Sequence, residues 1–299
     1  MQNLDILLLR APTPLLPFIT KAAGALPIAL LLVGDNLSGV DEMKQPFWRK
    51  ELIRLLWRWN KFQQIQIAKQ NLTFVNSHKL YEELKGSVPQ LFEIRTTTLS
   101  QNDFFEREDT CGSPPYHLLY TGRIERAKGL LLLVETLALL IQEGNDLILD
   151  LVGWAVPGDP ILDELFTLAN QKGIQERVIF HGFKPLGAEL SEMYKSADLY
   201  VIASHAEGFP RTIWEAMANS VPVVATRVGS IPHFIEGAAE LVTPNSIKDL
   251  VSSIKKMLYS PDLRKNYIQK GFVLAKENTL EVQSAKMMTT MKEWIVDLK

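Results

Sequence analysis

Two short clusters in the sequence combine charged side chains with glycines in patterns that suit a phosphorylated ligand. The first cluster, residues 122–129, places Arg123 and Lys128 between two glycines. Arg offers a fork of N–H donors and Lys a compact positive charge, so together they can bracket a diphosphate. A glycine turn with basic neighbours is also common on any α/β surface, and this cluster alone therefore does not define a site.

The second cluster, residues 204–218, reads Ser-His-Ala-Glu-Gly-Phe-Pro-Arg-Thr-Ile-Trp-Glu-Ala-Met-Ala. Its Gly-Phe-Pro segment predicts a turn that leads into a helix, and a helix N-terminus offers free N–H groups to an anion. Glu207 before the helix and Glu215 within it can each accept hydrogen bonds from the hydroxyls of a sugar or a ribose. The spacing alone carries little information, because Glu135 and Glu143 repeat it on an ordinary helical pattern.

The sequence contains no Asp-x-Asp motif and no cluster of His, Asp or Glu with the spacing of a metal site. Without a metal ion, the charge that develops on a departing phosphate must be balanced by Arg, Lys and helix N–H groups. The two clusters supply those groups. We therefore expect chemistry that needs no metal and no other cofactor.

Both clusters follow apolar runs that read as buried strands. Continuous runs such as residues 147–152 and 221–226 are typical of parallel strands covered on both faces. Helical patterns such as residues 128–143 lie between them. This alternation predicts an α/β fold with its ligand at the carboxyl ends of the strands.

A stretch rich in turn residues, 99–115, predicts the boundary between two lobes that face a cleft. We place the first lobe at residues 1–108, the second lobe at 109–275 and a last helical segment at 276–299.

Composition narrows the classes of partner. The 299 residues are 46% hydrophobic and 22% charged, with a net charge of −2, so nothing in the overall charge favours nucleic acid. The longest apolar runs are shorter than the ~20 residues that span a bilayer. A single cysteine, Cys111, excludes an internal disulfide and fits a cytoplasmic protein.

The ordered motifs resemble those of the family 4, group 1 glycosyltransferases, which have the GT-B architecture of two Rossmann-like lobes. The resemblance is carried by Gly122-Arg123 with Lys128-Gly129, His181-Gly182-Phe183, residues 193–198, the run 207–218 and Pro-Val-Val-Ala-Thr at 222–226. It is close over residues 118–242 and looser elsewhere. The resemblance implies that residues 1–108 form the acceptor lobe, that residues 109–275 bind the donor, and that the final helix, within 276–299, crosses back to the first lobe. Such a chain of motifs is specific for the family and does not identify a substrate.

The resemblance implies a retaining transfer of a sugar from a nucleoside diphosphate sugar to a saccharide or lipid-linked acceptor, in polysaccharide or glycolipid assembly. It assigns the diphosphate to Arg123 and Lys128, the donor sugar to Glu207, the ribose to Glu215, and the base to the turn 182–184. The implied catalytic residues are Arg123, Lys128 and Glu207. The implied donor-binding residues are Gly122, Gly182, Phe183, Lys184, Gly208, Phe209, Arg211, Thr212 and Glu215.

The front of the chain departs from the family pattern. Its opening run, residues 4–10, resembles a later strand of the acceptor lobe, so about 60–90 residues of that lobe are expected to be absent. This favours an alternative function, a non-catalytic or partner-dependent module that binds a nucleotide sugar. A sugar-nucleotide 2-epimerase has the same fold but lacks the second cluster, and an oxidoreductase would need a Gly-x-Gly-x-x-Gly motif that this sequence does not contain.

Residues 47–69 form a basic amphipathic pattern. Trp48, Leu52, Leu55, Trp59 and Phe62 share one helical face, and basic residues lie nearly opposite. The first interpretation is that the apolar face packs on the sheet of the acceptor lobe. The second is that it makes a peripheral contact with the inner face of an anionic membrane.

Overall fold

The computed structural model describes residues 4–33 and 45–298. The chain divides into two compact units, and both are α/β. The first comprises Met1–Thr96 with Glu281–Lys299, and the second comprises Thr97–Leu280.

The first unit contains a four-stranded parallel sheet in the order β1-β2-β3-β4. The strands are β1 (Leu7–Ala11), β2 (Ile28–Leu32), β3 (Leu72–Val75) and β4 (Leu91–Glu93), and the helices that follow the first three are α1 (Leu16–Ala23), α2 (Phe47–Ala68) and α3 (His78–Leu84). Apolar runs at residues 5–9, 28–33 and 72–75 of the sequence predict the first three strands. The fourth strand was not predicted.

The second unit contains a six-stranded parallel sheet in the order β10-β9-β8-β5-β6-β7. Its strands are β5 (Tyr116–Ile124), β6 (Leu147–Ala155), β7 (Val178–Phe180), β8 (Leu199–Ile202), β9 (Val223–Thr226) and β10 (Glu240–Val242). Its helices are α4 (Leu130–Gln142), α5 (Ile161–Gln171), α6 (Ala188–Ser196), α7 (Thr212–Ala218), α8 (Ile231–Ile235), α9 (Ile247–Tyr259) and α10 (Pro261–Glu277). Two α/β units with parallel sheets are the predicted fold class.

The inner strands of this sheet, β5, β6, β8 and β9, are buried on both faces over most of their length because each face of the sheet has its own apolar layer. Leu149 and Val201 lie in the layer that includes α4 and α9. Tyr200 and Val223 lie in the layer that includes α7. The uninterrupted apolar runs of the sequence follow from this double covering.

The segment before β5 belongs to the second unit, whereas the sequence placed the boundary at residues 108 and 109. The N–H of Phe105 donates to the carbonyl oxygen of Ala218 at 3.0 Å. The guanidinium of Arg107 donates to the carbonyl oxygens of Lys195 and Ala197 at 2.8 and 2.6 Å. The chain divides between Thr96 and Thr97, and the hydrogen bonds of Phe105 and Arg107 show why the segment before β5 belongs to the second unit.

The C-terminal helix α11 (Leu280–Asp297) packs on the sheet of the first unit. Met291 and Trp294 lie in an apolar cluster with Leu72 and Phe74. Among the described residues, every helix is too short or too polar to cross a membrane.

Candidate functional site

The order of the six-stranded sheet reverses between β5 and β8. From β5 the chain adds β6 and β7 on one side and then returns to place β8 on the other side, pairing Leu118 with Leu199. Ligands of open α/β sheets bind where the strand order reverses, at the carboxyl ends of the strands. The two sequence clusters follow β5 and β8, so the topology brings both to this position.

Close backbone approach joins the two clusters. Gly129 has φ +65°, and a Cβ at this residue would lie 2.1 Å from the carbonyl oxygen of Ala203. The N–H of His205 also donates to the carbonyl oxygen of Ala127 at 2.9 Å. Only a glycine at 129 lets the segment before α4 lie this close to the end of β8.

The three predicted catalytic residues lie in one charged cluster. The Nζ of Lys128 is 2.6 Å from Oε1 of Glu207, and the hydroxyl of Ser204 donates to the same oxygen at 2.7 Å. Glu125 lies between the two cations, 3.0 Å from the guanidinium of Arg123 and 3.9 Å from Lys128. The side chains of Lys128 and Glu207 are 14% and 10% exposed, whereas Arg123 is 56% exposed.

A second glycine contact positions the loop that carries Glu207. Gly229 has φ +56°, and a Cβ there would lie 1.8 Å from the carbonyl oxygen of Glu207. The N–H of Ser230 donates to the carbonyl oxygen of Gly208 at 2.8 Å. The loop is therefore held from behind by the turn that follows β9.

Phe209 anchors the same loop in the core. Its ring centroid is 4.7 Å from that of Trp214 and 5.1 Å from that of Phe234. The flanking Gly208 and Arg211 are exposed. Of these three predicted donor-binding residues, Phe209 packs against the apolar core, whereas Gly208 and Arg211 face solvent.

Glu215 is buried under protein hydroxyl groups. Tyr194 donates to Oε2 at 2.7 Å, and the hydroxyl of Thr98 donates to Oε1 at 3.3 Å. Burial raises the pKa of Glu215, and the hydrogen bonds from Tyr194 and Thr98 oppose that rise. The residue lines a cavity of about 520 Å³, whose walls are α6 and the segment 98–105.

Buried hydroxyl groups connect Glu215 to the end of β5. The hydroxyls of Tyr194 and Thr121 are 2.6 Å apart, and Tyr200 lies 3.1 Å from Thr121. Tyr200 also donates to the hydroxyl of Thr212 at 2.7 Å. Burial raises the pKa of both tyrosines, so both remain neutral donors beneath the site.

The turn predicted to flank a base lies beside the end of β6. Gly182 has φ +69°, and its carbonyl oxygen accepts a hydrogen bond from the N–H of Gly153 at 2.9 Å. Gly153 pairs with Gly122, and a Cβ at Gly153 would lie 1.7 Å from the carbonyl oxygen of Gly122. Phe183 is 66% exposed, and Lys184 pairs with a glutamate of α6 at 3.2 Å.

Sequence reasoning missed several residues that complete these contacts. Glu125 and Ser204 lie inside the two clusters and could have been singled out as neighbours of the charged residues. Tyr194 lies in the motif 193–198, but its contact with Glu215 was not predicted. The contacts of Gly229 and Thr98 depend on residues distant in sequence, and no local pattern marks them.

The model of the family described as glycosyl transferases group 1 matches residues 103–273, more than half of the chain. A D-inositol 3-phosphate glycosyltransferase from Arthrobacter sp. (strain FB24) is 38% identical over 122 residues, which cover 40% of this chain and 28% of that protein. The matched region therefore spans less than a third of that relative's length.

Two solved structures have the same fold. Sucrose-phosphate synthase from Thermosynechococcus elongatus has a TM-score of 0.74 at 20% identity, covering 98% of this chain and 74% of that one. Anabaena HepE in complex with UDP and glucose has a TM-score of 0.72 at 20% identity, covering 96% of this chain and 78% of that one. Since the family model extends over more than half of the sequence, this chain belongs to the glycosyl transferases group 1 and has the α/β fold of the GT-B glycosyltransferases.

Proposed function

We propose that this chain transfers a glycosyl group from a nucleoside diphosphate sugar to a hydroxyl of a saccharide or lipid-linked acceptor, in polysaccharide or glycolipid assembly. In this proposal, the anomeric configuration is retained and no metal ion takes part. The observation that carries it is the contact of Lys128 with Glu207, with Arg123 beside them, at the point where the strand order reverses.

The chemistry follows from the charges of this cluster. The bond between the anomeric carbon and the phosphate oxygen breaks, a bond to the acceptor oxygen forms, and the acceptor proton passes to the departing phosphate. Lys128 and the exposed Arg123 stabilise the negative charge on that phosphate. Glu125 and Glu207 hold the two cations in place until the diphosphate competes for them.

The rest of the donor is assigned to the neighbouring residues of the same unit. Glu207 accepts hydrogen bonds from the donor sugar, assisted by the loop through Gly208 and Arg211. The ribose of the nucleoside lies at Glu215, which lines the cavity. The base lies beside the turn 182–184. The solved HepE complex contains UDP and glucose, which supports a uridine diphosphate sugar as the first donor to test.

We place the reaction in the cytoplasm, at or near the inner face of the membrane. The support is that the single cysteine forms no internal disulfide and that helix α2 is basic.

A panel of uridine, guanosine and adenosine diphosphate sugars, with a chelator present, tests donor binding by thermal shift. We expect one of them to raise the melting temperature, and we expect Arg123→Ala and Lys128→Ala each to remove that rise. Arg126→Ala is the matched control, because Arg126 lies in the same segment but pairs with Glu164 on the surface. No shift with any donor, or a shift that needs a divalent metal, would contradict the proposal.

The alternative is a module that binds the donor without turnover. Release of free nucleoside diphosphate that depends on an added acceptor would establish transfer. Donor binding without such release would establish the alternative.

A further inference from the structure

Helix α2 exposes an apolar face. Seven large apolar side chains on this helix, which we call the outer face, are each between 53% and 76% exposed: Phe47, Trp48, Leu52, Leu55, Leu56, Trp59 and Phe62. Isolated exposed apolar residues are common, but a contiguous apolar patch of this kind marks a binding surface.

The inward side of α2 combines two buried amides with small and partly buried apolar residues, among them Ile65 and Ile67. Asn60 and Gln64 are buried, at 4% and 9% exposure, together with Ala68. The side-chain amide of Asn60 donates to the carbonyl oxygen of Thr13 at 3.2 Å, and Gln64 donates to Asn60. The interpretation that the predicted apolar face packs on the sheet is therefore wrong, because that face is exposed and the opposite side of the helix carries the buried residues.

Exposed apolar side chains also occur at the neighbouring helix. Helix α1 packs against α2, and Leu15 and Phe18 are 61% and 71% exposed. The first unit thus presents two adjacent helices with aromatic and leucine side chains in solvent.

The charge around this surface selects its partner. Residues 44–69 contain seven Lys or Arg and one acid, whereas the whole chain has a net charge of −2. This basic excess is local to the segment that carries α2. Arg49 and Arg58 are exposed on α2. Tryptophan, leucine and basic residues on one helix match the interface of an anionic bilayer.

We propose that the outer face of α2 docks the first unit onto the surface of a membrane that contains anionic phospholipid. The helix lies in the plane of the interface, with Trp48, Leu55 and Trp59 among the acyl chains and headgroups. The basic side chains contact lipid phosphates along its flank. This proposal does not depend on the transfer reaction.

Flotation of the full chain with two kinds of vesicle tests the docking. We expect partitioning onto vesicles of phosphatidylcholine mixed with phosphatidylglycerol, and little onto phosphatidylcholine alone. The double variants Arg49→Glu with Arg58→Glu, and Leu55→Ser with Trp59→Ser, should each weaken partitioning at least about tenfold.

Two control variants separate the surface from general effects. Lys172→Glu with Lys270→Glu changes the net charge equally at exposed positions of the second unit, and Val273→Ser removes an apolar side chain that is 52% exposed there. Both should partition like the unaltered chain.

Three results would overturn the docking proposal. They are absence of partitioning onto anionic vesicles, equal losses in the controls, and a dimer that Leu55→Ser with Trp59→Ser disperses without any vesicle binding. The last result would assign the outer face to a second copy.

Thermal shift with nucleotide sugars distinguishes failure of the docking proposal from failure of the proposed function. The α2 variants lie outside the second unit and should therefore keep the donor-induced shift.

Discussion

At the scale of single residues, the chemistry depends on contacts that the sequence only partly reveals. The strand, turn and helix around Glu207 predicted its approach to Lys128, and the two side chains are 2.6 Å apart. The partners of Glu215 were not predictable, because Thr98 is 117 residues away in the chain. The local sequence indicates which strand, turn or helix carries a residue, whereas the tertiary fold decides its hydrogen-bond partners.

A buried carboxylate between two histidines makes stability depend on pH. Oδ2 of Asp150 is 2.7 Å from Nδ1 of His117, and Oδ1 is 2.7 Å from Nε2 of His181. The hydrogen bond to Asp150 raises the pKa of His117, with Asp198 adding to the effect. Burial by itself would raise the pKa of Asp150. The hydrogen bonds with His117 and His181 outweigh burial, so the pKa of Asp150 is lowered.

The direction of the pH dependence follows from these two shifts. The contribution of His117 is complete below the ordinary histidine pKa of 6.5 and is lost as the pH rises through the raised folded pKa. The contribution of Asp150 is present above the ordinary pKa of 3.8 and is lost as the pH falls through the lowered one. The pair therefore stabilises the fold most between these limits.

We predict that Asp150→Asn flattens the decline in the free energy of unfolding above pH 6.5. Urea unfolding across that range measures the slope. Asp146→Asn is the control, because this carboxylate is 46% exposed and pairs with Arg177 at the surface. An unchanged slope in Asp150→Asn would show that Asp150 does not cause the raised pKa of His117.

At the scale of elements, apolar runs predict strands more reliably than they predict which face of a helix is buried. Strand β4 is Leu-Phe-Glu, three residues whose side chains are only half-buried, so it lacks the long apolar run that identified the others. Helix α2 has a clear apolar stripe, yet Asn60 and Gln64 face inward because they are hydrogen-bonded. Hydrophobic periodicity locates a helix, but the contacts of the residues opposite the apolar stripe decide which side of the helix faces inward.

The turn after β9 is predicted to position the loop that carries Glu207. In Gly229→Ala the new Cβ would lie 1.8 Å from a backbone carbonyl, so the loop must move. We expect a loss of about 3 kcal/mol or more in the free energy of unfolding. We also expect the donor-induced thermal shift to disappear.

Gly173→Ala is the matched control for this substitution. Gly173 has φ +70°, and a Cβ there meets no atom within 4 Å. This substitution should lower the free energy of unfolding by about 1–2 kcal/mol, because alanine is strained in the left-handed backbone conformation. It should leave donor binding unchanged. Equal effects of the two substitutions would show that the contact with the carbonyl of Glu207 is unimportant.

At the scale of the whole molecule, the candidate site lies within one unit. The sequence predicted two α/β lobes, and the boundary lies earlier because Phe105 and Arg107 bond to the second unit. The apolar clusters of that unit draw all their residues from its own chain segment. Its ends also meet, since the N–H of Leu280 donates to the carbonyl oxygen of Leu99 at 2.7 Å.

We predict that residues 97–280, expressed alone, fold cooperatively and keep the donor-induced thermal shift. A unit with its own apolar core and adjacent termini is expected to fold independently, and Arg123, Lys128, Glu207 and Glu215 all lie within it. The same fragment with Arg123→Ala should unfold at a similar temperature without responding to donor. A fragment that folds but fails to bind a donor that the full chain binds would mean that the first unit contributes to donor recognition, and the assignment of the site to the second unit alone would be wrong.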